Sequence, residues 1–245
     1  MRQSVIAAFM LLSPAAVAAQ TPTPAADAPP PRWERKAELS LVQTGGNTDT
    51  QTLGLGASVI FRPGRWTTEA RTAFVRSETS DIETAKSFIA DLREAYALSR
   101  RVELFGRYGY LADPFAGIDH RSTIDGGIGY KLLLGPVHTL RADAGLGYTT
   151  ESRSVGDDVS FALANFGGAY KWQISTAADL TNSAILTASL EDGDAWRFAN
   201  AFALTAALSR VFSLKLSHDL KYNNAPVVGF EKADRLTSVA VVAKF

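Results

Sequence analysis

The stretch Val137–Thr149, VHTLRADAGLGYT, alternates apolar and polar residues along its length. In an extended chain one face would carry Leu140 and Leu146, and the opposite face would carry Arg141 and Asp143. A period of two predicts a β-strand whose two faces meet different surroundings. The same alternation recurs from residue 33 to the end of the chain. The stretch therefore predicts the fold class of the whole segment.

The repeated alternation predicts twelve strands. Their polar faces are rich in Gly, Thr, Asp and Arg, as expected for a lumen, and aromatic residues gather at the strand ends, as in the girdles of a membrane barrel. We predict an all-β fold, a transmembrane antiparallel up-and-down β-barrel of twelve strands, with a soluble sandwich as the alternative. The predicted strands are 33–44, 51–61, 66–76, 86–98, 102–112, 121–132, 137–149, 160–172, 177–190, 196–208, 212–223 and 235–245.

The connections between these strands alternate in length, which distinguishes the two alternatives. Short periplasmic turns that alternate with longer outer loops are typical of bacterial outer-membrane barrels, and a soluble sandwich has no reason to alternate in this way. The turns after even-numbered strands are 62–65, 99–101, 133–136, 173–176 and 209–211. The longer, more acidic loops after odd-numbered strands are 45–50, 77–85, 112–121, 150–159, 191–195 and 224–234.

The N-terminal segment predicts export. Arg2 precedes an apolar run, Val5–Leu12, that is too short to span a bilayer, and Ala16–Ala18 offers the small residues of a cleavage site. We expect residues 1–19 to be a signal peptide and the proline-rich residues 20–32 to be a periplasmic linker. Residues 33–245 would then form the barrel in a bacterial outer membrane of a Gram-negative cell.

Composition excludes several classes of function. The chain carries 25 basic and 25 acidic residues, so it lacks the positive charge typical of nucleic-acid binding. Cysteine is absent, which excludes disulfides, thiolate nucleophiles and thiolate metal sites. No histidine pair has metal-ligand spacing and no glycine motif precedes a predicted helix, so we expect no metal and no cofactor.

Three stretches resemble a family of salt-induced outer-membrane proteins classed as a domain of unknown function. They are Leu220–Asp234 (LKYNNAPVVGFEKAD), Leu39–Leu41 leading into Gly45–Thr48 (GGNT), and Asp192–Arg197 (DGDAWR). The resemblance spans nearly all of 33–245 and implies an outer-membrane barrel without a known reaction, linked to a salt or osmotic response. The chain departs from the family in aromatic content, with Ala243 where a tyrosine is expected.

The end of the last predicted strand resembles an assembly signal. Phe245 is the terminal residue and shares one strand face with Val239 and Val241. A terminal aromatic residue on an alternating strand resembles the signal that the outer-membrane barrel-assembly machinery reads. We therefore expect that machinery, outer-membrane lipid and lipopolysaccharide as partners, and the sequence leaves the oligomeric state open.

One short motif is a candidate catalytic site. His120 and Ser122 lie beside Asp119, and this pair is similar to the nucleophile and base of an outer-membrane phospholipase. A nucleophile needs a base within hydrogen-bond reach and a third group that orients the base. No flanking sequence supports an oxyanion hole, so we expect no enzyme and interpret the motif as a polar outer loop.

Charged residues on the predicted inward faces are the candidate functional residues. A narrow water-filled passage for small solutes or ions and a closed, structural barrel are both compatible with them. Inward glycines at 54, 56, 109, 127, 129, 145 and 147 are expected to leave space inside, and acidic loop residues such as Asp157, Asp158, Asp192 and Asp194 suggest surface binding as an alternative. The predicted lumen residues are Lys36, Glu38, Glu69, Arg71, Asp91, Arg93, Glu103, Arg107, Asp125, Lys131, Arg141, Asp143, Lys215, Asp219 and Lys221.

Overall fold

The computed structural model describes residues 31–44 and 50–245 and contains twelve β-strands. The predicted signal peptide, most of the predicted linker and most of the first outer loop lie outside the described residues. Within the described ranges, no helix is both long enough and apolar enough to cross a membrane. The strands are β1 (Trp33–Thr44), β2 (Thr50–Phe61), β3 (Trp66–Thr79), β4 (Ile82–Ala97), β5 (Val102–Asp113), β6 (Ile118–Leu134), β7 (His138–Arg153), β8 (Val159–Gln173), β9 (Ala178–Ser189), β10 (Trp196–Ala207), β11 (Phe212–Asn223) and β12 (Ala233–Lys244).

The twelve strands form one closed antiparallel barrel, which confirms the predicted fold class. Each strand pairs with its sequence neighbours, and β1 pairs with β12 to close the ring. The β1–β2 pair has twelve Cα partner pairs, whereas the closing pair has four, from Lys36↔Lys244 to Leu39↔Val241. We call the end that holds Trp33 and Phe245 the inner end, and the opposite end the outer end.

Every predicted strand overlaps an observed strand, but three of the predicted outer loops are wrong. The predicted loop 150–159 shrinks to 154–158, because β7 continues to Arg153 and β8 begins at Val159. The predicted loop 77–85 is a two-residue turn at Ser80 and Asp81, whose φ angles of 50° and 62° suit a type I′ hairpin. The predicted loop 112–121 shrinks to 114–117, which contains a single 3-10 turn, Pro114–Ala116. The prediction is wrong here because these residues are mostly polar on both faces. A strand that continues beyond the apolar belt meets water on both faces and does not require an apolar face.

The two faces of the barrel wall differ as the alternation predicts. Outward side chains such as Leu41 and Ile124 are exposed to the surroundings, at 69% and 65% of their maximal area. Aromatic pairs lie at both ends of this apolar belt. Trp33 stacks on Phe61 at the inner end with ring centroids 4.0 Å apart, and the Trp196–Tyr222 pair at the outer end has a separation of 5.1 Å. The apolar belt between two aromatic girdles is the outer surface of a membrane barrel.

Glycines at the β6–β7 pair form a tight corner instead of open space. A Cβ atom at Gly145 would lie 2.8 Å from the carbonyl oxygen of Gly126 and 3.3 Å from Cζ of Phe105. A Cβ atom at Gly127 would overlap the carbonyl oxygen of Ala144. The prediction that these glycines leave space is therefore wrong, because the two backbones and the Phe105 ring already occupy it.

Candidate functional site

All fifteen charged residues predicted for the lumen lie on the inward face of the described strands. The alternation continues without a change of face through each predicted strand core, so the exposed apolar neighbours of these residues point outward. Ion pairs join many of the fifteen across one or more strands. The site is therefore a charged lumen, and the arrangement of its ion pairs differs between the inner end and the outer end.

Six charges line one side of the lumen from β3 to β7, and we call them the central network. Arg93 lies 2.7 Å from Glu103 and 3.4 Å from Asp143. Arg141 lies 3.1 Å from Asp143 and 3.1 Å from Glu69. Three positive and three negative side chains make the network neutral. Its members are Glu69 on β3, Arg93 on β4, Glu103 on β5, Lys131 on β6, and Arg141 and Asp143 on β7.

The centre of this network is desolvated. The side chains of Arg93 and Glu103 retain 8% and 5% of their maximal exposure, and the Arg93 guanidinium lies 4.7 Å from the ring centroid of Phe105. A buried ion pair needs its partners, because removing one leaves an uncompensated charge away from water. The network therefore fixes β3 to β7 relative to one another and fills this side of the lumen.

Two further predicted pairs attach to neighbouring parts of the wall. Arg107 donates two hydrogen bonds of 2.9 Å to the carboxylate of Asp125, a bidentate pair between β5 and β6. Lys215 on β11 lies 2.7 Å from Glu38 on β1, so this pair spans β12 between them. The second pair reinforces the part of the ring where β1 and β12 share few partners.

An outer arginine cluster, formed by Glu151, Arg121, Arg153 and Arg197, lies above the central network. The three guanidinium groups lie 2.6 to 2.7 Å from the Glu151 carboxylate, whose side chain is fully buried. The sequence prediction missed these residues because the predicted sixth and seventh strands are shorter at their outer ends than β6 and β7. Arg121 and Arg153 therefore lie in or next to predicted loops. Continuing the alternation past Thr149 would have placed Glu151 on the inward face.

A salt bridge crosses the barrel at the outer end. The Nζ atom of Lys221 lies 3.1 Å from Asp113, although β11 and β5 are six strands apart in a ring of twelve. The loop 224–232 folds over the same end, where Val227 is 2% exposed. A Cβ atom at Gly117 would lie 2.7 Å from the Phe230 ring, so this loop packs tightly against the β5–β6 connection. The outer entrance is therefore narrow.

One level of the lumen is open to water. Arg71 on β3 and Ser183 on β9 are exposed although both lie on inward faces. These strands are six apart in the ring, and each residue lies five positions from the inner end of its strand. Asp91 on β4 is the cross-strand partner of Arg71, but among the described residues no salt bridge of 4.0 Å or less joins the Arg71 guanidinium to a carboxylate. The other predicted lumen residues, Lys36, Asp91 and Asp219, are half-buried on the same inner wall.

The candidate catalytic motif lies on the other side of the wall. Ser122 faces outward, and its hydroxyl lies 3.3 Å from the hydroxyl of Tyr108. In the described part of the chain, no hydrogen bond joins Ser122 to His120, and a register shift separates Ile118 from His120. The arrangement offers neither an activated nucleophile nor an orienting third group.

The acidic loops use their carboxylates to accept hydrogen bonds from backbone amides of the loops and of the adjoining strands. Asp192 accepts a hydrogen bond of 2.9 Å from the amide of Asp194, and Asp158 accepts one of 3.1 Å from the amide of Arg153. Glu191 accepts another from the amide of Ala162 at 3.0 Å. Residues 31–44 and 50–245 contain no group of three or more histidine or acidic side chains arranged to hold a metal ion.

Comparison with known proteins gives one distant relative in sequence and several solved structures of similar fold. The "Uncharacterized protein YdiY" of Escherichia coli (strain K12) is 25% identical over 166 residues, which cover 67% of this chain and 64% of that protein. Two solved structures are similar in shape. The NanC porin has a TM-score of 0.47 at 10% identity, over 86% of this chain and 97% of that one. The translocator domain of the autotransporter NalP from Neisseria meningitidis has 0.44 at 13%, over 87% of each chain.

A family model matches residues 37–245, which contain all but the first few residues of the barrel. The match includes Leu220–Asp234, the stretch that carries most of the resemblance noted in the sequence, and this stretch forms the loop over the outer entrance. The chain belongs to the family described as "Protein of unknown function, DUF481".

Proposed function

We propose that the protein is a narrow channel in the bacterial outer membrane, through which small polar solutes or ions diffuse. The apolar belt and its two aromatic girdles support the membrane location. The charged inward face supports a passage for polar species, since such species need compensating polar groups inside a wall of low polarity.

The observation that carries the proposal is the exposure of Arg71 and Ser183. Both residues face inward from opposite sides of a closed barrel, yet water reaches both. A lumen filled by side chains would bury them, as it buries Arg93 and Glu103 one or two strands away. Arg71 and its cross-strand partner Asp91 both face the lumen at that level without a salt bridge of 4.0 Å or less between them, so the guanidinium is available to attract anions and the carboxylate to attract cations.

The ion pairs limit the size of the permeant solute. The central network occupies the lumen between β3 and β7, and the bridge from Lys221 to Asp113 crosses the outer entrance. A solute must pass beside these side chains or displace them. We therefore expect small inorganic ions and short polar solutes to pass, and bulky solutes to be excluded.

Planar-bilayer conductance of the purified protein tests the proposal. Wild type should show steady unit conductance. Arg71→Ala should shift the ion selectivity toward cations, and Arg93→Ala and Arg141→Ala should enlarge the unit conductance because they remove parts of the central network. Arg65→Ala is the control, since Arg65 donates to the carbonyls of Ala97 and Leu98 at an inner turn. A silent wild type with three silent variants would contradict the proposal.

A second candidate is a non-conducting barrel with a structural or surface-binding role. The buried Val227 and the Lys221–Asp113 bridge at the outer entrance favour it, because both oppose passage. Its surface-binding form would act through the acidic outer loops. Neutralising Asp157, Asp158, Asp192 and Asp194 together should then change the sensitivity of cells to chelators, and unchanged sensitivity would exclude cation binding by these loops.

The location and the partners form part of the same proposal. We propose cleavage of the signal peptide, recognition of Phe245 by the barrel-assembly machinery, and contact with outer-membrane lipid and lipopolysaccharide. The family resemblance adds a link to salt or osmotic stress, which predicts a higher amount of protein in cells grown at high salt. Heat-modifiable migration of protein from the outer-membrane fraction tests the location, and recovery from the soluble periplasm would contradict it.

A further inference from the structure

Polar side chains interrupt the apolar outer surface along a row that crosses four neighbouring strands. Asn182, Phe202, His218 and Thr237 are successive cross-strand partners on β9, β10, β11 and β12. Asn200 lies two positions from Phe202 on the same outward face. We call Asn182, Asn200, His218 and Thr237 the polar row. On β7, by contrast, the outward positions at 140, 142, 144 and 146 are all apolar.

The polar row satisfies only part of its hydrogen-bonding capacity. The Asn182 and Asn200 amides bond to each other at 3.2 and 3.3 Å, and Nδ2 of Asn200 also donates to the carbonyl of Ser183 at 3.2 Å. Nδ1 of His218 lies 2.8 Å from the Thr237 hydroxyl. An amide has two donors and an acceptor oxygen with two lone pairs, and an imidazole has a second nitrogen. Lipid tails supply no partner for the remaining groups.

Small residues next to the row allow a close approach from outside. Gly168 on β8, Ala184 on β9 and Asn200 on β10 are direct cross-strand partners. The surface beside the asparagine pair is therefore flat over two strands. Small residues around a hydrogen-bonding polar group are typical of contacts between protein segments within a membrane. Thr72, an outward polar residue on β3, differs because its hydroxyl donates to the Ile89 carbonyl within the sheet.

We propose that the outward face of β9–β12 is a contact between two copies of this chain within the membrane. The inference rests on the proposed membrane location but not on conduction. A second copy fits because an amide presents partial positive hydrogens and a partially negative oxygen together. The asparagine pair of one copy can therefore face the same pair of the other copy across a two-fold axis, with donors opposite acceptors. The remaining amide hydrogen and oxygen lone pairs of the asparagine pair, which lipid leaves without partners, are then satisfied.

Cysteine cross-linking tests the contact directly, because the natural chain contains no cysteine. Ala184→Cys, beside the polar row, should give a disulfide-linked dimer of twice the chain mass when outer membranes are oxidised. Ala57→Cys, an outward residue on β2, is the control and should stay monomeric. Absence of a dimer for Ala184→Cys, equal dimer for both variants, or a cross-linked product of another mass would overturn the proposal.

Light scattering in mild detergent gives a second, independent readout. Wild type and Thr72→Val should both have the mass of a dimer, whereas the double variant Asn182→Leu with Asn200→Leu should have the mass of a monomer. A monomeric wild type, or a dimeric double variant, would overturn the proposal. Conductance of the same samples separates the two proposals: a dimer that is silent in bilayers refutes only the channel, and a conducting monomer refutes only the contact.

Discussion

Replacing Glu151 by glutamine removes the negative charge of the outer arginine cluster and keeps a side chain of the same shape. The cluster holds three guanidinium groups within 2.7 Å of one carboxylate, so its net charge rises from +2 to +3. The Glu151 side chain is fully buried, and the three arginine side chains retain 15% to 20% exposure. Removing one partner of a buried ion pair costs about 3–5 kcal/mol, so we expect the free energy of unfolding to fall by about that amount.

Urea titration of the barrel in lipid vesicles, followed by the folded band on a gel, measures this free energy. Glu34→Gln is the matched control, because Glu34 lies 2.8 Å from Arg62 with 32% and 25% side-chain exposure at the inner end. A pair of that kind contributes about 0–1 kcal/mol. If Glu151→Gln destabilises no more than Glu34→Gln, the outer arginine cluster does not depend on its carboxylate, and the reasoning from burial fails.

Two glycine substitutions test the close contacts that the structure assigns. Gly145→Ala should destabilise the barrel by about 1–3 kcal/mol, because its methyl group would lie 2.8 Å from the Gly126 carbonyl oxygen. Gly106→Ala is the control and should be neutral, because no atom lies within 4 Å of its methyl group. Equal unfolding curves for the two variants would contradict this prediction. Gly117→Ala should push Phe230 away and increase tryptic cleavage after Lys232, since Gly117 has a φ of +74° and its methyl group would lie 2.7 Å from the ring; unchanged cleavage would refute that packing.

The alternation of the sequence was sufficient to predict the strands and the facing of their residues. A strand between lipid and water must keep one face apolar. The inward orientation of Arg93 and Arg141 therefore follows from their apolar neighbours Leu92 and Leu140, which face outward. The alternation no longer predicts the strands where they continue beyond the apolar belt at the outer end. There both faces meet water, so the sequence predicts a loop for strand residues such as Glu151.

Contacts across the lumen were beyond the reach of sequence reasoning. Lys221 and Asp113 lie 108 positions apart, and no local pattern relates β11 to β5. Their meeting depends on the tilt and cross-section of the closed ring, to which glycines such as Gly127 and Gly145 contribute by allowing a tight corner. The sequence predicts that these glycines widen the lumen, because glycine has no side chain. The position of the neighbouring backbone, which fills that space, does not follow from the sequence.

The short pairing between β1 and β12 has a mechanical consequence. Four partner pairs join these strands, against twelve between β1 and β2, so a tensile load around the ring would be carried by the fewest hydrogen bonds there. A cylinder with one weak line yields along that line under strain, and here the line lies between the first and the last strand. Lys215–Glu38 spans the line from one side to the other and acts as a tie across it. The wall can therefore part along β1 and β12 while the rest of the cylinder keeps its shape.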